Sequence, residues 1–364
     1  MRNQRWFHLL DFLLTASRLY LWSCIKNIVK LLLGRKIYFS NQDLFFRQYL
    51  FQIAGIRPIK ALTCMGLNRE GAGSQALMMM HAMNFARCNG LRYEHTPFTH
   101  MAWAQRPQRE WAAAWEEQFN LGAGEPTWNG DRCHTVDFSV NDYAVHLCFG
   151  RMRHDWLFHD DEEERHFRIM IPEFRAKYYS NKKPRITKEI TVAVHVRRGD
   201  VVPGHWLYTS TPTIACTMAQ VISVLDSKGV AYVINVFSHG APAADFATLS
   251  ALGARLWLDA DGVWVMGELI EADILIMAKG TFSHCAALIS DGIKICEPEG
   301  GRVLDDWIVR AADGSIDRSK FEDQFNDLIR AKMDQPTPVS TEQVATVVAF
   351  ETRTEEVSQR FDER

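Results

Sequence analysis

The segment Val192-Ala193-Val194-His195-Val196-Arg197-Arg198-Gly199-Asp200 decides the fold of this chain. An uninterrupted apolar run rich in valine is typical of a strand buried on both faces of a parallel sheet. Ligands bind beyond the carboxyl ends of such strands, and two adjacent guanidinium groups can hold a diphosphate through charge-assisted hydrogen bonds. The segment therefore predicts a core strand of an α/β sheet that ends in a phosphate site. The alternative is an exposed arginine pair that only closes the strand.

A glycine-bearing turn, Asn68-Arg69-Glu70-Gly71-Ala72-Gly73-Ser74-Gln75, lies between a predicted strand at 60–67 and a predicted helix at 76–88. Its backbone amides and the helix N-terminus could receive an anion or a hydroxyl-rich ligand, with Ser74 as the helix cap. Tight packing around the glycines explains the same pattern equally well.

A third junction follows the short apolar run at 274–277 and reads Ala278-Lys279-Gly280-Thr281-Phe282-Ser283. Thr281 or Ser283 is expected to open a helix. The free amides and hydroxyl groups of such a helix start can face a diphosphate. An ordinary capped strand-to-helix junction is the alternative.

The segment from His195 to Asp200 resembles the His-x-Arg-Arg-Gly-Asp motif of the fucosyltransferase superfamily, which joins the α-1,2-, α-1,6- and protein O-fucosyltransferases. The turn at 68–75 resembles the Gly-x-Gly-Asn-Gln opening of the α-1,2 enzymes, and residues 281–283 resemble the Ser/Thr-Phe-Ser element that closes over the nucleotide. The resemblance implies a GT-B fold, in which two Rossmann-like domains face a cleft. It also implies an inverting, metal-independent transfer of fucose from GDP-fucose to a glycan hydroxyl, with no cofactor.

The same resemblance assigns roles to individual residues. Arg197 would grip the donor phosphates and stabilise the leaving group, and Glu70 is the first choice for the general base, ahead of Asp200 and His205. His239 stands at a strand tip where the family usually carries an acidic residue; Asp245, Asp259 and Asp261 are nearby alternatives. The residues assigned to donor binding are His195, Arg197, Arg198, Gly199, Gly71, Gly73, Thr281, Phe282 and Ser283.

Length and composition agree with a two-domain enzyme. The 364 residues exceed one ordinary core, and a net charge of −3 argues against a nucleic-acid partner. The alternation of predicted strands and helices indicates a doubly wound parallel sheet. The expected divisions are amphipathic and connecting helices at 1–57, an acceptor-side α/β domain at 58–185, a nucleotide-sugar domain at 186–312 and a helical tail at 313–364.

The first 40 residues carry seven lysines and arginines against the single acid Asp11, with the polar residues on one side of a helical wheel. Arg18, Lys26 and Lys30 interrupt every window that could span a bilayer. The pattern predicts an amphipathic helix that contacts an anionic membrane surface; packing on the protein or on a second subunit is the alternative. Eight cysteines without paired spacing favour free thiols, and hence a cytoplasmic location, with this helix at the inner face of the membrane.

Two further patterns carry weaker functional hypotheses. Trp103, Trp111, Trp115 and Phe119 have helical spacing and are predicted to be core, although an exposed member could stack on an acceptor sugar. The acidic run at 160–164 would spread around a helix, so we do not expect a metal site there.

Two other functional classes fit parts of the sequence. One is a protein of the same fold that binds a nucleotide sugar or a glycan without catalysis. The other is a membrane-surface scaffold whose function lies in residues 1–40. For a glycosyltransferase, the expected partners are a nucleotide-sugar donor and a glycan acceptor, either a polysaccharide or a lipid-linked oligosaccharide.

Overall fold

The computed structural model describes residues 59–66, 70–130, 134–139, 161–185, 187–298 and 303–333. The predicted helices at 1–57 and the part of the predicted helical tail beyond residue 333 lie outside these ranges. Within the ranges, no helix is both long enough and apolar enough to cross a bilayer.

The described strands and helices alternate along most of the chain. The strands are β1 (Ala61–Thr63), β2 (Arg92–Tyr93), β3 (Thr135–Asp137), β4 (Ile190–Val196), β5 (Tyr232–Ser238), β6 (Arg255–Leu258), β7 (Ile274–Ile276), β8 (Ile293–Cys296) and β9 (Ile308–Val309). The helices are α1 (Ala72–Cys88), α2 (Gln108–Phe119), α3 (Asp161–Tyr179), α4 (Thr211–Ser227), α5 (Ala247–Ala251), α6 (Gly262–Ile270), α7 (Thr281–Ile289) and α8 (Arg318–Met333), and a 3₁₀ turn spans Ala243–Phe246.

The larger sheet is parallel throughout and has the strand order β6-β5-β4-β7-β8-β9. Numbered within the sheet, this order is 3-2-1-4-5-6, that of a doubly wound Rossmann fold. The chain runs outward from β4 in one direction, then returns and continues from β7 in the other. The prediction of a doubly wound sheet is confirmed, and its topological switch point lies between β4 and β7.

Strand β4 is buried on both faces, as its apolar sequence predicts. Val192, Val194 and Val196 pack into one hydrophobic cluster, together with Ile214 of α4. Ala193 points to the opposite face and joins a second cluster. The observed strand begins at Ile190, two residues before the quoted segment, and ends at Val196, directly before the arginine pair.

A smaller sheet of three parallel strands, in the order β2-β1-β3, precedes the large one in the chain. Helix α1 connects β1 to β2 and is buried along most of its length. It packs closely against α7: a Cβ added at Gly73 would lie 2.7 Å from the Cα of Phe282. The predicted α/β class is therefore confirmed, with two parallel sheets whose helices meet at Gly73.

The expected Ser74 cap of α1 is wrong, whereas the expectation that Thr281 or Ser283 opens a helix is confirmed at Thr281. Helix α1 begins four residues earlier than predicted, with Gly71 as its N-cap, so Ser74 lies inside the helix. Helix α7 is preceded by Gly280, which has a φ of +122° and makes no side-chain cap. At Gly280 the positive φ favours glycine, and at Gly71 the indole of Trp103 lies close to where a side chain would begin.

The aromatic stretch divides into two parts. Trp111, Trp115 and Phe119 lie on one face of α2 and are buried, which confirms the core prediction for these residues. Trp103 precedes the helix and is 69% exposed, so the core prediction is wrong there. The apparent helical spacing from Trp103 breaks because α2 begins only after Pro107.

The contact between α1 and α7 predicts an asymmetric response to two glycine substitutions. Gly73→Ala should lower the free energy of unfolding by about 1–3 kcal/mol, because the new methyl group meets the backbone of Phe282. Gly262→Ala is the matched control: it also lies in the first turn of a helix, but its Cβ would meet neighbours only at 3.5 Å. Urea unfolding measures both. Equal effects at the two positions would contradict the close packing of α1 on α7.

Candidate functional site

The carboxyl ends of β4 and β7 lie side by side at the switch point, because Val194 pairs with Ile276. Residues 197–200 follow β4, and residues 277–280 follow β7 and lead into α7. Two segments more than 70 residues apart in sequence are thus brought to one edge of the sheet. In doubly wound proteins, this crevice is where ligands bind.

Arg197 extends from the end of β4 to the start of α7. Its Nη2 and Nε donate hydrogen bonds to the carboxylate of Asp200 at 2.7 and 3.3 Å. Its Nη1 lies so close to Gly280 that a Cβ there would overlap it. The first amides of α7, from Thr281 to Ser283, have no acceptor within the helix. A guanidinium group beside such amides has the charge and the donors to bind a phosphate.

His195 connects the same two elements from within the sheet. Its Nδ1 lies 2.5 Å from Oγ of Ser283, and that oxygen also accepts a hydrogen bond from the Ala278 amide at 3.2 Å. Burial, together with the positive charge of Arg197, lowers the pKa of His195 to about 4, although Asp200 opposes the shift. The imidazole is therefore neutral near pH 7, and among the described residues its Nε2 has no hydrogen-bond partner.

Arg198 points away from Arg197 and is only 8% exposed. It donates to the carbonyl of Thr209 at 3.0 Å and to the hydroxyl of Thr211 at 3.1 Å, and its guanidinium lies 4.4 Å from the ring centre of Tyr208. These contacts make it an anchor for the loop that leads into α4. Its predicted phosphate contact stays a prediction.

Gly199 lets the ends of β4 and β5 approach each other. Its φ is +77°, and a Cβ on Gly240 would lie 2.8 Å from its Cα. His239, at the tip of β5, pairs with Asp259 at 2.9 Å, and the same carboxylate accepts the Gly240 amide. Asp261 caps α6 and pairs with Arg106, and Asp245 lies in the 3₁₀ turn Ala243–Phe246, whereas Asp259 contacts the tip directly.

The three candidate bases differ in their surroundings. Asp200 is held by Arg197, whose hydrogen bonds keep the pKa of that carboxyl below its ordinary value. The imidazole of His205 accepts a hydrogen bond from the Leu207 amide within its own loop. The carboxylate of Glu70 has no hydrogen-bond partner among the residues described here, and its turn lies against the start of α7 through Gly73.

The Glu70 turn itself is firmly attached. The Glu70 carbonyl accepts hydrogen bonds from Nε2 of Gln75 at 2.9 Å and from the Ala102 amide at 3.0 Å. Gly71 and Gly73 are both in contact with other parts of the chain, Gly71 with Trp103. Tight packing around both glycines, the alternative to a ligand-binding turn, is therefore observed. A direct contact of either glycine with a ligand stays a prediction.

A charged network that the sequence analysis missed lies beside the crevice. Glu297 accepts hydrogen bonds from Lys279, Thr209 and Arg310 at 2.9–3.2 Å. Burial acts to raise the pKa of Glu297, but the hydrogen bonds from Lys279 and Thr209 outweigh it and hold the pKa below its ordinary value. The network ties together the ends of β7, β8 and β9. A signal was present in the sequence, since Glu297 and Arg310 each directly follow an apolar strand.

No family model and no curated protein sequence matches this chain. Among solved structures it is similar to the Se-Met fucosyltransferase NodZ from Bradyrhizobium, with 13% identity over 64% of this chain and 92% of that chain and a TM-score of 0.30. It is also similar to the E. coli heptosyltransferase WaaC with ADP, with 12% identity over 75% of this chain and 99% of that chain and a TM-score of 0.39. A third similar structure is POFUT1 in complex with GDP-fucose, with 10% identity over 64% of this chain and 94% of that chain and a TM-score of 0.34. The strand order of this chain, rather than these overlaps, defines its architecture.

The neutral state of His195 predicts a dependence of stability on pH. The unfolded chain protonates this residue near pH 6.5, whereas the folded chain does so only near pH 4. The unfolded state binds the extra proton between these values, so the free energy of unfolding decreases as the pH falls through this window, by at most about 1.4 kcal/mol per pH unit.

The variant His195→Asn keeps a hydrogen-bonding group near Ser283 and removes the titration. Its urea unfolding free energy should change less than that of the wild type between about pH 7 and about pH 4. Parallel curves for the two proteins would show that His195 titrates alike in the folded and unfolded states.

Proposed function

We propose that this chain is an inverting GT-B glycosyltransferase that moves fucose from GDP-fucose to a hydroxyl group of a glycan. The observation that carries the proposal is the position of Arg197 at the switch point, where its guanidinium lies on Gly280 beside the first amides of α7. This edge of a doubly wound sheet is suited to a nucleotide diphosphate. The resemblance of His195–Asp200 to the fucosyltransferase motif supports GDP-fucose as the donor.

In the proposed reaction, an acceptor oxygen attacks the anomeric carbon of the donor sugar. The bond between that carbon and the β-phosphate oxygen breaks, and GDP leaves with the electron pair. Arg197 and the amides from Thr281 to Ser283 stabilise the negative charge that grows on the diphosphate. These groups supply the positive charge, so the proposal requires no metal ion.

The acceptor hydroxyl loses its proton as the new bond forms, and we assign Glu70 as the general base. Its carboxylate has no competing partner among the described residues, whereas Asp200 is engaged by Arg197. The turn that carries Glu70 leads into α1, which connects two strands of the smaller sheet and meets α7 at Gly73, so the acceptor would approach from the side of the smaller sheet. Contact of residues 1–40 with a membrane stays a separate prediction.

The donor site is tested by calorimetric titration of GDP, UDP and ADP, with and without magnesium. GDP should bind preferentially and independently of magnesium, and Arg197→Ala should weaken it by about 10- to 100-fold, since charge-assisted hydrogen bonds to phosphate are lost. Arg318→Ala removes an exposed arginine of α8 and should leave binding unchanged. The proposal fails if no nucleotide binds or if the Arg197 variant binds as well as the wild type.

The base assignment is tested by the release of GDP from GDP-fucose in the presence of oligosaccharide acceptors. Glu70→Gln should lower kcat by about 10²- to 10⁴-fold with unchanged affinity for GDP, because it removes proton transfer and not donor binding. Glu110→Gln, at an exposed position in α2, is the matched control.

Two other results would change the assignment. Full activity in Glu70→Gln, with loss of activity in Asp200→Asn or His205→Asn, would move the base to the loop after β4. GDP binding by the wild type without any turnover would favour the non-catalytic binding protein.

A further inference from the structure

Trp103 combines two features that the packing of the fold does not account for. Its side chain is 69% exposed, and its backbone has a φ of +54°, in the left-handed region. A bulky aromatic residue in that region costs about 1–3 kcal/mol, and residues held there cluster at binding and catalytic sites. An exposed indole adds a second cost, because its apolar surface stays in water.

The segment before Trp103 is held on the turn that carries Glu70. All three residues at 100–102 are bound through their backbones. The His100 carbonyl accepts a hydrogen bond from Gln75 at 2.9 Å. The side chain of Gln108 bonds both the amide and the carbonyl of Met101. The Ala102 amide donates to the Glu70 carbonyl. The exposed indole therefore stands on a fixed support and not on a loose loop.

The indole lies next to the crevice. A Cβ added at Gly71 would lie 3.1 and 3.2 Å from Cζ3 and Cε3 of Trp103, so one edge of the ring rests on the glycine. Gly73 contacts Phe282 in the first turn of α7. Trp103 is thus held beside the turn that carries the candidate base Glu70.

We propose that Trp103 is a stacking platform for a pyranose ring of the acceptor glycan. This inference rests on the proposed function and names the substrate class of its second site. The face of a pyranose that carries axial C–H groups is apolar and can cover an indole, while its hydroxyl groups stay in water. The fixed backbone lowers the ordering cost of binding. The donor nucleotide is assigned to the ends of β4 and β7, so a ring stacked beside Glu70 belongs to the acceptor.

The test uses ¹⁹F NMR on the whole chain labelled with 5-fluorotryptophan. Trp103→Phe and Trp257→Phe identify two resonances; Trp257 is the control, since it is 40% exposed at the far edge of the large sheet. The probes are cellotetraose, maltotetraose, mannotetraose and chitotetraose. We expect at least one of them to shift the Trp103 resonance at millimolar concentration and to leave that of Trp257 unchanged.

Affinity measurements on variants complete the test. For the tetrasaccharide that binds, Trp103→Ala should raise Kd at least about tenfold, equivalent to about 1.4 kcal/mol, while Trp103→Phe should stay within about threefold because a stacking face remains. Both variants should unfold in urea as cooperatively as the wild type, which shows that they fold, and GDP should bind both as it binds the wild type.

The outcomes separate this inference from the proposed function. If no tetrasaccharide shifts the Trp103 resonance, or if Trp103→Ala binds as tightly as the wild type, the platform is overturned even where GDP binds. If the resonance shifts and Trp103→Ala loses affinity in a chain that binds no GDP, the platform stands and the donor proposal fails. A resonance that moves with GDP alone would place Trp103 at the donor and overturn the acceptor assignment.

Discussion

The parallel pairing of β4 with two neighbours is the constraint on which the rest of the structure depends. It pairs with β5 along all seven of its residues and with β7 along three. Since the chain leaves β4 in one direction and later returns to its other side, helices cover opposite faces of the sheet and a crevice opens between the two strand ends. The place of Arg197, the start of α7 and the contact of α7 with α1 all follow from this arrangement.

The central strands of the large sheet were predictable because they are buried on both faces. Burial leaves an apolar run in the sequence, and the run at 274–277 matches the buried strand β7 to within one residue. The smaller sheet was harder to delimit. The run at 60–67 predicted a strand of eight residues, but β1 has three, since an apolar residue can follow a strand end as easily as extend it.

Side-chain direction was the part of the site that the sequence did not determine. Arg197 and Arg198 are adjacent and chemically identical, yet one faces the crevice and the other anchors a loop through Thr209 and Thr211. The choice depends on partners far along the chain. The partners of Glu297 likewise come from distant parts of the chain. The spacing of Trp103 from Trp111 suggested one helix face for both residues, but Trp103 precedes the helix.

The ion pair between Arg197 and Asp200 has a consequence for selectivity among anions. Asp200 is a counter-ion tethered three residues away, so it competes for the guanidinium at a high and fixed local concentration. An anion that displaces this carboxylate would gain only the difference between its own charge and that of Asp200. Chloride or acetate would offer no such surplus, whereas a diphosphate would. At the proposed donor site, the pair would therefore favour multivalent over monovalent anions.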